Sequence, residues 1–64
     1  MNKSKDEYNI GDFVVCQFRD DSNKLKEGFG FITNKVNDYY VVELVDQKGF
    51  ASVPIENIRY ASRA

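Results

Sequence analysis

The fold is decided by residues 28–53, which read GFGFITNKVNDYYVVELVDQKGFASV. Three segments of this stretch are rich in aromatic and β-branched residues, a composition typical of strands. Between them, Asn37-Asp38 tolerates the left-handed backbone of a tight hairpin, and DQKG places Gly49 where a positive φ is wanted. We therefore predict consecutive antiparallel strands, which open at 28–33 and continue at 39–45 and 50–53.

The flanking residues add a strand on each side. FVVCQF within residues 12–19 alternates so that Val14, Cys16 and Phe18 share one face, with Phe13, Val15 and Gln17 on the other. Pro54 cannot donate to a strand ladder and ends the fourth strand. The remaining predictions are a polar loop at 20–27, a single 3₁₀ turn at 55–58 and a brief fifth strand at 59–61.

Helical periodicity is missing from the whole chain, so the predicted class is all-β. Short strands joined by tight turns in 64 residues indicate one small five-stranded antiparallel barrel with a 3₁₀ turn before its last strand. We assign the barrel to residues 8–61, a flexible tail to 1–7 and a short fraying end to 62–64.

This order of parts resembles the SH3-like barrel group, which includes Tudor and KOW-type modules. The residues that carry the resemblance are GDFV at 11–14, the opening of strand two at 28–32, YVV at 40–42 and above all VPIENIR at 53–59. The resemblance is architectural and implies a binding module. The chain departs from the peptide-binding members because it has no tryptophan and no matching aromatic-acidic start, so we do not expect polyproline binding.

Composition argues against catalysis and bound metal. The chain has no histidine, so the commonest general base, a Cys-His or Ser-His pair and a typical zinc site are all missing. Cys16, the single cysteine, is expected to be a small core residue rather than a reactive or interfacial thiol. The sequence at 20–23, DDSN, lacks the acid spacing and glycine of a calcium loop. We expect no enzyme activity, no cofactor and no small-molecule substrate.

The net charge and the expected cellular compartment limit the classes of partner further. Nine basic and ten acidic residues give a net charge of −1, whereas a dedicated duplex binder carries a basic excess. With no signal peptide, no membrane-spanning apolar run and one unpaired cysteine, we expect a cytoplasmic protein that does not bind membranes. A bias toward residues with AT-rich codons hints at a bacterial or phage source.

The strands carry more apolar residues than one buried sheet face can hold. The register of the hairpin decides which of them lie on the opposite face. A two-residue loop at Asn37-Asp38 places one set together: Phe29, Phe31, Tyr40, Val42 and Leu44. The opposite face then carries Ile32, Val36, Tyr39, Val41 and Val45. A three-residue loop instead places Ile32, Val36, Tyr40, Val42 and Leu44 inside and leaves Phe31 and Val41 outside. Both registers stay open at this stage.

The surplus has two interpretations. Tight coiling of a small barrel could bury both strand faces, or an exposed apolar patch could bind a partner. We favour a non-catalytic protein-interaction module, a small stand-alone regulator or inhibitor, with a second copy in a homodimer as one candidate partner. Its predicted binding residues are Phe13, Phe29, Phe31, Tyr39 and Val41. The alternative is a KOW- or Tudor-type nucleic-acid- or ribosome-associated module, in which aromatic residues stack on bases.

Overall fold

The computed structural model describes residues 8–61, so the predicted tail at 1–7 and end at 62–64 lie outside the described residues. The chain is all-β, with five antiparallel strands in one sheet that curls into a half-barrel and one 3₁₀ turn before the last strand. This confirms the predicted class and strand count. The elements are β1 (Phe13–Arg19), β2 (Leu25–Val36), β3 (Tyr39–Leu44), β4 (Phe50–Pro54), the 3₁₀ turn (Ile55–Asn57) and β5 (Ile58–Tyr60).

The strand order is β4-β3-β2-β1-β5, so consecutive strands are neighbours except for β5, which returns to pair with β1. Both predicted turns have the expected backbone: Asn37 has φ 55° and Gly49 has φ 103°. Val36 pairs with Tyr39, which makes the β2–β3 loop the two-residue hairpin of the first register. Antiparallel pairing through such short turns needs no crossover helix.

The predicted loop at 20–27 is too long, because β2 begins at Leu25. Leu25 lies opposite Arg19 and extends the β1–β2 ladder beyond the glycines. The loop is closed by Asp20, whose carboxylate accepts the N–H groups of Ser22 and Lys24 at 2.8 and 3.0 Å. The Lys24 N–H is the largest of several causes that lower the pKa of Asp20. That carboxylate already has protein partners, so this loop resembles a turn cap rather than an ion site.

A bulge at Thr33 shifts the β2–β3 pairing by one residue between the hairpin end and the rest of the sheet. From Val36 to Asn34 the pairing follows the two-residue loop, but Ile32 then pairs with Val42, so Thr33 is the extra residue. Because one added residue reverses the facing of a strand, Ile32 turns inward and Phe31 outward. The two-residue loop is therefore confirmed, while the facing predicted from it for Phe29, Phe31 and Ile32 is wrong.

The core lies inside the curl of the sheet and draws on all five strands. Val36 is exposed and is missing from it, although the second register placed it inside. Tyr8, Phe18 and Ile55 pack against its margin. The buried residues are Val14, Cys16, Ile32, Tyr40, Val42, Leu44, Ala51, Val53 and Ile58.

Gly28 and Gly30 alternate with Phe29 and Phe31, and the pairing explains why. Both glycines are buried on the inner side of β2, and a Cβ on Gly30 would meet the backbone of Glu43. Gly30 therefore permits close approach of β3, while the irregularity of β2 lies at the Thr33 bulge and not at the glycines. With the small residues inside, the two phenylalanine rings point outward.

Candidate functional site: an outer aromatic face

Three phenylalanines lie together on the outer face of β1 and β2. Phe13 is directly opposite Phe31, with ring centroids 4.9 Å apart, and its ring meets Phe29 edge-on at 5.8 Å. Phe29 and Phe31 remain 39% and 45% exposed, and Phe13 is half-buried. Rings in such contact bury one another only in part, so a continuous apolar surface faces solvent. We call Phe13, Phe29 and Phe31, with Val15 and Val41 beside them, the outer aromatic face.

The two valines extend this surface on either side. Val15 lies opposite Phe29 on β1 and is half-buried. Val41 lies on the outer side of β3, two residues from Glu43, which pairs with Phe31. Val15 and Val41 therefore extend the exposed rings into a wider apolar surface.

Tyr39 is placed apart from the other predicted binding residues. It starts β3 beside the hairpin loop, where it pairs with Val36 on one side and Pro54 on the other. Its side chain is exposed, as is that of Val36. The structure thus brings together Phe13, Phe29 and Phe31, sets Val41 on the same face, and leaves Tyr39 at the hairpin end.

Charges of both signs lie around the face, and Arg59 on β5 is opposite Val15. Glu43 sits opposite Phe31 on β3 and also opposite Phe50 on β4. Glu27 is held by Arg59 at 3.2 Å, and both side chains are exposed, so this pair contributes little to stability. Sequence reasoning missed Glu43, because its place beside Phe31 follows from the bulge. Because Glu27 is paired with Arg59, the charge argument rests on Glu43, whose carboxylate beside Phe31 would attract a basic group and repel a phosphate.

A second aromatic group lies at one end of the curled sheet and is structural. Tyr8 packs edge-on against Tyr40 and Tyr60 at 5.7 and 4.8 Å, and its hydroxyl donates to the Ile58 carbonyl at 3.0 Å. Lys35 lies over the Tyr40 ring, 5.4 Å from its centroid. Tyr8 thereby ties the start of the described chain to β3 and β5.

Cys16 is fully buried between Val14 and Gly28, as the strand alternation predicted. Burial, helped by the carboxylates of Asp46 and Glu27, raises the pKa of its thiol. A raised pKa keeps the thiol protonated and unreactive in the folded protein, so the structure offers no activated nucleophile here.

The buried thiol predicts a fall in stability at alkaline pH. The folded pKa lies above the unfolded one, so stability is full below the unfolded pKa and is lost as pH rises toward the folded pKa. Urea unfolding at pH 7 and pH 9.5 should show a larger loss for the wild type than for Cys16→Ala. Equal losses in the two proteins would mean that ionisation of Cys16 is not linked to unfolding.

The described residues offer little further chemistry. Residues 8–61 contain no cluster of three or more metal-binding side chains. No helix in this part of the chain is long and apolar enough to cross a membrane. The chain matches no protein-family model, no curated protein and no solved structure.

Proposed function

We propose that this chain is a non-catalytic protein-interaction module that binds a protein partner through its outer aromatic face. The observation that carries the proposal is the contact of Phe13, Phe29 and Phe31 outside a core that is already complete without them. Aromatic residues at the centre of a surface are the usual anchors of protein interfaces. A resemblance to SH3-like modules supports the same class of function.

The partner surface follows from the charges and shape of the face. An apolar patch with Glu43 at its margin is complementary to an apolar partner surface that carries lysine or arginine nearby. Such binding would let a small chain act as a regulator or inhibitor by covering a surface of a larger cytoplasmic protein. A phage or other mobile element is the source that we propose for it.

The test removes two rings without touching the core. In Phe29→Ser/Phe31→Ser, capture of the partner from the source cell should fall by more than roughly 100-fold, since two central anchors of about 2 kcal/mol each are lost. The control is Ile10→Ser, which removes a more exposed apolar side chain, 69% exposed, that is not one of the five residues of the face. Circular dichroism should show both variants folded. Undiminished capture by the folded double variant would contradict the proposal.

Self-association is a separate outcome of the same face. Sedimentation equilibrium over a wide concentration range distinguishes a second copy from a different protein as the partner. If the face pairs with itself, the wild type sediments as a dimer and Phe29→Ser/Phe31→Ser as a monomer. A monomeric wild type directs the search to a different protein.

A further inference from the structure

The half-barrel leaves two sheet edges, and they differ in how their backbone groups are used. At the β5 edge, the N–H of Ile58 donates to the Ile55 carbonyl, and the Ile58 carbonyl accepts the Tyr8 hydroxyl. The β5 strand has three residues, so this edge is short and covered. Within residues 8–61, no strand pairs with the outer side of β4, which has five residues.

The ladder between β3 and β4 shows which backbone groups of β4 have no partner among residues 8–61. Leu44 N–H donates to the Gly49 carbonyl at 3.0 Å, so the hydrogen-bonded positions alternate from there through Ala51 and Val53. Phe50 and Ser52 fall between them, and their N–H and C=O groups point away from β3. Pro54, which has no N–H, falls at the next such position, as expected for an edge strand. Two donors and two acceptors are therefore presented in the spacing of an extended chain.

These groups border a groove of about 450 Å³. One wall is β4 itself, the other is the end of β1 with Leu25, and Asn57 closes part of the site. The apolar side chains along it include Phe18, Leu25 and Phe50, the last being 65% exposed. Arg19 is the single charged side chain among the described residues that line it. Walls on both sides suit one added strand better than the edge of a second folded sheet.

We infer that this groove binds an extended segment of a partner protein, which adds a strand to β4 and places an acidic side chain near Arg19. The two N–H and two C=O groups of Phe50 and Ser52 would pair with the segment's backbone. Apolar side chains of the segment would contact Phe18, Leu25 and Phe50. Five lining residues of β4 span about 17 Å at ~3.3 Å per residue, so a segment of about five to seven residues fills the site. This surface is separate from the outer aromatic face and does not depend on the function proposed for that face.

The test uses a displayed library of random peptides of about seven residues, selected on the full chain. The result expected is a set of peptides with alternating apolar residues and an aspartate or glutamate, whose affinity is at least about ten-fold weaker for Ser52→Pro than for Ser52→Ala. Ser52→Pro removes one outward N–H and no bond to β3, whereas Ser52→Ala removes only the hydroxyl. Arg19→Ala should remove the preference for an acidic residue.

Amide hydrogen exchange keeps the test decisive even if Ser52→Pro does not fold. A selected peptide should slow exchange of the Phe50 and Ser52 amides, whose N–H groups point into the groove. Exchange of the Ala51 and Val53 amides, which bond to β3, should be nearly unchanged. Equal binding to a folded Ser52→Pro, unchanged exchange at Phe50 and Ser52, or no selected peptide would overturn the inference. Protection of both amides without peptide, in a chain that sediments as a dimer, would assign the edge to a second copy and also overturn it. Loss of partner binding in Phe29→Ser/Phe31→Ser leaves these readouts unaffected.

Discussion

Gly30→Ala is expected to unfold the protein. The added Cβ would lie 2.7 Å from the carbonyl carbon of Glu43 and 2.9 Å from the Cα of Leu44, and closer still to the Glu43 carbonyl oxygen. These are backbone atoms of the paired strand, so relief requires β2 and β3 to separate. Overpacking typically costs about 1–3 kcal/mol, and we expect the cost here to exceed this range because the atoms that must move are paired backbone. A domain of this size has a total stability of roughly 3–10 kcal/mol, so the substitution should remove much or all of the stability of the folded state.

Gly28→Ala is the matched control for this substitution. Its Cβ would meet side-chain atoms instead: the amide nitrogen of Gln47 at 2.8 Å, a methyl of Leu44 at 3.1 Å and the ring of Phe18 at 3.2 Å. Side chains can shift where backbone cannot, so we expect a folded, less stable protein. Urea unfolding monitored by circular dichroism measures both variants. A Gly30→Ala protein as stable as Gly28→Ala would mean that β2 and β3 are not paired as described.

Ile32→Ala should lower the free energy of unfolding by about 2–5 kcal/mol. Ile32 is 1% exposed and packs in the core on the inner side of β2. The neighbouring substitution Phe31→Ala is expected to cost far less, about 1 kcal/mol, because the Phe31 ring lies on the outer face and is only partly packed against other side chains. This order of the two stability losses is the reverse of the one expected from side-chain size, since loss of an aromatic ring usually costs more than loss of an isoleucine side chain.

The pair measures the effect of the bulge at Thr33. Without the bulge, the two-residue hairpin would turn Phe31 inward and Ile32 outward, and the order of the two costs would reverse. Urea denaturation of both variants under one set of conditions decides between the registers. A larger loss for Phe31→Ala than for Ile32→Ala would contradict the described pairing and would place part of the outer aromatic face in the core.

The turns and strands could be predicted because their causes are local. Asn37-Asp38 and Gly49 specify backbone conformations that few other residues adopt, and Pro54 limits the strand that it ends. Val14 and Cys16 follow the two-residue period of a strand with one buried face. Each of these features depends on a few neighbouring residues, which a single sequence displays directly.

The sequence could not show which side chains of β2 face the core, because this depends on pairing with residues that are distant along the chain. Thr33 has strand propensity like its neighbours, and nothing local marks it as the extra residue. Its hydroxyl donates to the Val41 carbonyl at 3.3 Å, a contact that exists only once β3 is in place. The assignment of Phe31 and Val41 to the outside therefore had to remain one of two alternatives.

The open edge that β4 forms within the described residues could not be predicted from the sequence either. Strand propensity shows that residues 50–53 form a strand, but it does not show which neighbour covers each side. Tyr8 covers the β5 edge through a bond to Ile58, fifty residues away along the chain. Phe50 was missed as a surface residue for the same reason, since its exposure depends on the absence of a strand beside it within the described chain.

Site-specific photocrosslinking in the source cell tests the central claim most directly. A photoreactive phenylalanine analogue at position 31 lies on the outer aromatic face, and the same analogue at position 10 replaces an exposed apolar residue that is not part of this face. We predict a discrete crosslinked product at position 31, formed with a partner protein or a second copy, and none at position 10. No product at position 31, or the same products at both positions, would contradict the claim that this face is a binding surface.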